Sequence, residues 1–198
     1  MNITKSLIIA ISFLTITASH AQKRMDWDGV RVAYTACEFN GNSLMNDMTG
    51  VSIGYSSLTR LSRKIPIGVE TGIYGDWVGQ SKNGAKTTLI DLSVPVNLGY
   101  KMNLTNDIAL FPYFGANFKA YIIAKTSYDK SDKKINYFNN DDTNGYAYER
   151  WHVGWHIGAD LQLSRFVIGV NYGEDLTRFS PRTDKKMNTF QVRAGVNL

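Results

Sequence analysis

Three side chains of the types used in metal and acid–base chemistry, His152, His156 and Asp160, recur every four residues on one short stretch. On a helix that spacing would put them on one face. The stretch itself, Trp151 to Leu163 (WHVGWHIGADLQL), does not have a helical pattern. Trp151, Val153, Trp155, Ile157, Ala159, Leu161 and Leu163 alternate with His152, Gly154, His156, Gly158, Asp160 and Gln162. A period of two marks a strand with two chemically opposite faces. On a strand, residues four apart lie about 13 Å from each other, whereas one metal ion holds its ligands at ~2 Å. No metal site and no cofactor is expected.

The same polar phase, followed along the chain, collects Arg31, Glu70, Asp76, Asp91, Lys119 and Arg193 in addition to His152, His156 and Asp160. Charges in a narrow interior must be paired. We read these nine as an internal network of ion pairs and hydrogen bonds that plugs a lumen. A gated polar path, or a binding site at the outer mouth, is the functional alternative. Catalysis lacks its parts: both strand histidines are on the inward phase, and no G-x-S-x-G motif occurs. No catalytic residue is assigned. The segment Lys125 to Gly145 carries Tyr128, Tyr137, Phe138 and an Asn/Asp-rich end, but not the spacing of a calcium loop. It reads as a solvated outer loop.

The element that positions the histidines has thirteen residues, against about 5–6 in an ordinary strand. A strand crosses a bilayer at a tilt with about 9–11. Seven other segments show the same alternation: Gly29–Ala36, Gly50–Leu58, Ile65–Trp77, Thr88–Tyr100, Ile108–Ala124, Phe166–Tyr172 and Thr189–Leu198. The connections 37–49, 78–87, 125–145 and 173–188 read as long and polar, and 59–64, 101–107 and 164–165 as short. Strict alternation of long and short connections suits a membrane barrel with short periplasmic turns and longer outer loops. Glycines fall mostly on the polar phase, where a narrow interior leaves little room. Aromatics on the apolar phase favour strand ends, as in interfacial belts. Pro95 interrupts its strand and predicts a local bulge or slack register there.

Residues 1–21 read as a signal peptide, with Lys5, the apolar run Leu7–Ile16 and a cleavage site at Ser19-His20-Ala21. Residues 22–198 then form one barrel domain. Removing Lys5 lowers the formal charge from +5 to +4. That small excess is not interleaved with aromatics, and nucleic acid is excluded as a partner. Cys37 is the only cysteine, so an intrachain disulfide and cysteine-based zinc sites are excluded. It reads as a small residue at a strand end.

With the alternating strands, the sorted connections and the terminal TFQVRAGVNL, the chain resembles small bacterial outer-membrane β-barrels of the OmpA/OmpX type. LIDLSVPVNLGYKM most resembles the PorT-like outer membrane protein beta-barrel families. These sequences usually end in an aromatic, and Leu198 departs from that. The resemblance implies an all-β fold: an eight-stranded antiparallel up-and-down transmembrane barrel in the outer membrane of a Gram-negative cell. Its implied partners are outer-membrane lipid, periplasmic chaperones and the assembly machinery, and it transfers no catalytic residue. The expected function is non-enzymatic, structural or partner-binding through the outer loops. The alternatives are a narrow pore or accessory of a secretion or uptake complex, a soluble lipocalin-like barrel, and a lipid A-modifying enzyme.

Overall fold

The structure, a computed structural model, describes residues 25–39, 47–62, 64–82, 84–129, 134–139, 141–143, 147–179 and 186–198. The expected signal peptide lies outside the described residues. Eight long strands alternate direction: β1 (Met25–Phe39), β2 (Met48–Arg60), β3 (Ile67–Lys82), β4 (Ala85–Tyr100), β5 (Ile108–Tyr128), β6 (Trp151–Leu163), β7 (Phe166–Asp175) and β8 (Met187–Asn197). Two short pieces, Met102–Asn103 and Lys134–Asn136, add to β5. Each strand pairs antiparallel with its sequence neighbours, and β1 pairs with β8 from Gly29↔Asn197 to Phe39↔Met187. That last ladder closes the sheet on itself, so the backbone polar groups of every strand find partners inside the barrel.

The alternation sorts the side chains. Val30, Val32, Val51, Ile53, Phe114, Phe118, Ile157, Ile168, Val170 and Val192 stand outward and exposed, although all are large and apolar. Soluble proteins rarely expose so continuous an apolar surface. The inward phase is buried and largely polar. Its glycines make room for neighbours: a Cβ on Gly54 would lie 2.4 Å from the Tyr74 ring, and one on Gly158 would lie 2.4 Å from the Tyr113 hydroxyl.

At one end of the barrel the turns are tight. Ser164, at φ +56°, closes the β6–β7 hairpin, and its amide donates to Asp107 O at 2.6 Å. Thr105 Oγ1 accepts from the amides of Asp107 and Ile108 in the β4–β5 connection. At the other end β3 and β4 run past the expected strand limits and pair up to Lys82↔Ala85. The region 78–87 is therefore no long loop but a hairpin closed at Gly84, whose φ of +72° suits glycine. Asn83-Gly84 is the sequence signal for such a turn. β5 also extends to Tyr128, so part of the expected loop 125–145 is strand.

The Pro95 expectation needs a correction. The slip lies at Ile90/Asp91, which pair with Ile123 and Tyr121 and leave Ile122 as the extra residue. Pro95 keeps an in-register partner, Asn117, on β5. On the β3 side the paired positions jump from Thr71↔Val96 to Tyr74↔Ser93 without a change of register. A proline brings no N–H to a ladder. The gap absorbs that loss, and the Thr71 hydroxyl donates to Pro95 O at 3.0 Å.

Candidate functional site: a filled lumen

The nine polar residues picked out in the sequence all point inward, each at 7% exposure or less. They do not form one cluster. Along β1 the inward side chains run from Trp27 through Arg31 and Thr35 to Cys37 and Phe39, and these mark successive layers of the lumen.

At the turn end, Trp27, Leu58, Phe111 and Tyr113 form an apolar plug, with Trp27 edge-on to Phe111 at 5.5 Å. Lys101 covers it, its ammonium 4.8 Å from the Trp27 ring centre and 3.1 Å from Asp26.

Above this plug lies a cluster centred on Arg193. Its Nε donates to Asp160 Oδ1 at 2.6 Å, and its Nη2 reaches both Asp160 Oδ2 and, at 3.1 Å, Glu70 Oε2. The guanidinium lies over the Tyr113 ring at 5.0 Å. Asn97 donates to the same Glu70 oxygen at 2.9 Å, and its own carbonyl oxygen meets His156 Nε2. A carbonyl only accepts, so His156 carries its hydrogen on Nε2. Arg31 binds differently: it donates to the carbonyls of Val30 and Val196 and, at 2.7 Å, to Asn197 Oδ1.

The next layer holds Lys119, which donates to Asp175 Oδ1 at 2.9 Å and touches Thr189 Oγ1 at 3.5 Å. Asp76 and Asp91 face each other directly across β3 and β4, and Ser93 donates to Asp76 at 2.7 Å. A cavity of about 30 Å³ lies among Thr35, Asp76, Asp91, Lys119, Asp175 and Gln191. That volume corresponds to about two water molecules.

The loop end is closed by apolar side chains, among them Phe39, Met48, Leu89, Tyr121 and Met187, packed around Phe179. The Phe179 ring lies 5.0–5.2 Å from those of Phe39, Tyr121, Tyr148 and His152. His152 belongs to this lid rather than to the ion pairs. Its Nε2 donates to Glu149 O at 3.1 Å, which leaves Nδ1 to accept from the Thr177 hydroxyl at 3.0 Å. The segment expected to be a solvated loop takes part too. Tyr137 stacks on Tyr148 at 4.8 Å, and Tyr137 and Phe138 pack against the lid. Burial raises the Tyr137 phenol above its ordinary pKa.

Sequence reasoning missed Asp175, Thr177 and Phe179. Period two does continue past Tyr172 through Gly173 and Asp175, which is the trace Asp175 left. Phe179 has no periodic signal, because tertiary packing alone places it. Among the described residues no group of three or more His, Cys, Asp or Glu side chains is arranged to hold a metal ion.

The Asp76–Asp91 pair yields a testable asymmetry. Like charges directly opposite on neighbouring strands are unfavourable by about 0.2–1 kcal/mol. Asp91→Asn keeps the shape and removes one charge from a layer where, among the described residues, Lys119 stands against three carboxyls. Its urea midpoint in detergent micelles is expected to equal or exceed that of the parent. A clear fall would mean that the Asp91 charge is needed to hold Lys119.

A closed antiparallel barrel with an apolar outer band and a filled polar interior defines a membrane-spanning β-barrel. The chain belongs to the Outer membrane protein beta-barrel domain family, whose model matches residues 6–198. Similar solved folds include Ail, the attachment invasion locus protein of Yersinia pestis, with a TM-score of 0.52 at 14% identity over 86% of this chain and 97% of that one. The Neisserial surface protein A (NspA) is similar at 0.50 and 11% identity, over 86% of this chain and 97% of that one. The outer membrane enzyme PagL is similar at 0.54 and 10% identity, over 85% of this chain and 99% of that one. At such identities the likeness is one of fold alone, and it spans an attachment invasion locus protein, a surface protein and an enzyme. No functionally curated protein matches the chain in sequence.

Proposed function

We propose that the protein is a sealed, non-enzymatic outer-membrane barrel that acts through its loop end, as a structural element or as a docking platform for a protein partner. Export by the N-terminal signal at 1–21, passage on periplasmic chaperones and insertion by the assembly machinery belong to the same reading. The observation that carries it is the filling of the lumen from end to end. Two apolar plugs enclose two hydrogen-bonded ionic layers, and the cavity between them holds only about 30 Å³. A conducting pore needs a continuous wet path, and paired charges with aromatic lids on both sides oppose one. Both described histidines point inward, which argues against a catalytic dyad at the lipid-facing rim. The loop end carries aromatic side chains, with stacked Tyr137 and Tyr148 and with Arg150 over the Phe138 ring at 4.2 Å. Folded protein in planar bilayers is expected to give no stable conductance steps. Reproducible single-channel steps would replace the platform with a pore.

A further inference from the structure

Asp76 on β3 and Asp91 on β4 are direct cross-strand partners, 7% and 3% exposed. Their side chains stand within hydrogen-bond reach of each other. The slip in the β4–β5 ladder falls at Ile90/Asp91, and a bulge of this kind re-aims a neighbouring side chain. Ser93 donates to Asp76 Oδ2 at 2.7 Å. Asp76 Oδ1 and Asp91 Oδ1 are buried and receive no donor among the described residues.

An ionised carboxylate only accepts hydrogen bonds, so two of them cannot bond to each other. Two carboxyls that share one site do not both ionise, because each charge disfavours the other. Three carboxyls, those of Asp76, Asp91 and Asp175, stand in this layer against the ammonium of Lys119.

The other titratable groups at this level are committed elsewhere. On β5, Lys119 donates to Asp175 of β7 at 2.9 Å, and the Tyr121 hydroxyl lies 3.7 Å from Met187 Sδ. On β6, His156 bonds Asn97, and His152 bonds Glu149 O and Thr177. Cys37 of β1 sits 3.9 Å from Thr189 Oγ1, and Glu174 of β7 pairs with Lys186 at 3.8 Å. β2 brings Ser52, the register partner of Asp76, and β8 brings Thr189 and Gln191, none of them titratable.

We infer that Asp91 and Asp76 hold one proton between them, with Asp91 the neutral acid that donates to Asp76, and that the pair is a pH-sensitive latch in the loop-end half of the lumen. Asp76 is the anion of the two because Ser93 already supports it. The proton supplies the missing donor and satisfies both orphaned oxygens. When it leaves to water, two like charges face each other across the ladder, and Asp91 competes with Asp175 for Lys119. The amide that Asp91→Asn introduces donates to Asp76 in the proton's place, which fits a variant midpoint no lower than that of the parent.

Infrared spectroscopy of the folded barrel, in a detergent without ester carbonyls, tests the proton directly. At neutral pH the wild type is expected to show the carbonyl band of a neutral carboxylic acid, and Asp91→Asn should lose it. The urea midpoint against pH is the second readout. Folding takes up a proton that an unfolded aspartate, with a pKa of about 3.9, does not hold, so rising pH disfavours the folded form. From about pH 5 to about pH 7 the wild-type folding constant should fall relative to that of Asp91→Asn, by up to about tenfold per pH unit. Heat-modifiable migration shows whether the variant is folded. No acid band in the wild type overturns the assignment and leaves an ionised pair bridged by water in the cavity. A band that survives in Asp91→Asn, or midpoints that run parallel over this range, overturns it too.

Discussion

Arg193→Met is expected to lower the stability of the barrel by about 3–5 kcal/mol, the usual cost of removing one partner from a buried ionic group. Arg193 is 5% exposed and is the cation that touches both Glu70 and Asp160, themselves 1% and 0% exposed. Without it two carboxylates remain in the lumen with Asn97 as a neutral donor. Arg31 does not replace it, because its guanidinium is committed to Val30, Val196 and Asn197. The stacking of the guanidinium on Tyr113 is lost as well. Urea titration of the heat-modifiable form measures the effect. The triple variant Arg193→Met/Glu70→Gln/Asp160→Asn should recover most of the loss, since it removes the charges together. A wild-type midpoint for the single variant would mean that this cluster contributes nothing to stability.

The second large effect belongs to the opposite face. Val192 lies in the middle of β8, pairs with Tyr34 and Val170, and is 47% exposed on the outer wall. In lipid, Val192→Arg places a cation near the bilayer midplane and should cost about 2–4 kcal/mol. The same change at Val196, nearer the turn end, should cost about 0–1 kcal/mol because the side chain reaches the interface. In a water-soluble cup both positions would meet solvent and both substitutions would be close to neutral. Refolding into vesicles of fixed thickness, followed by denaturant titration, gives the difference between the two. A depth dependence of the opposite sign would reverse the placement of β8 in the bilayer.

The phase of each strand is legible in the sequence because period two is a local property. His152, Gly154 and His156 cannot share a face with Val153 and Trp155, whatever the rest of the chain does. That rule placed every member of the polar set, and it placed Val30, Ile53 and Ile157 outside. It fails where the strands leave the membrane. Gly79, Ser81 and Lys86 are outward yet polar, so the apolar/polar contrast vanishes and the extensions of β3 and β4 read as loop. The slip at Ile122 left only a doubled apolar pair, Ile122-Ile123, which a strict alternation does not resolve. The grouping of the polar residues into layers depends on how the strands stagger around the closed barrel. Asp175 meets Lys119 across strands 56 residues apart in the chain, and Phe179 meets His152 from beyond the end of β7. Neither contact has a local sequence correlate.

The most direct test of the lipid-out, charge-in arrangement uses the protein's own tryptophans. Of its four, Trp77, Trp151 and Trp155 sit on the outer phase and Trp27 is buried in the turn-end plug at 5% exposure. Variants retaining one tryptophan each, folded into vesicles of bromine-labelled lipid, report contact with acyl chains through loss of fluorescence. Strong quenching of Trp77 and Trp155 with little change at Trp27 is the predicted result. An unquenched Trp155, or a Trp27 quenched as strongly as its outward counterparts, would contradict it.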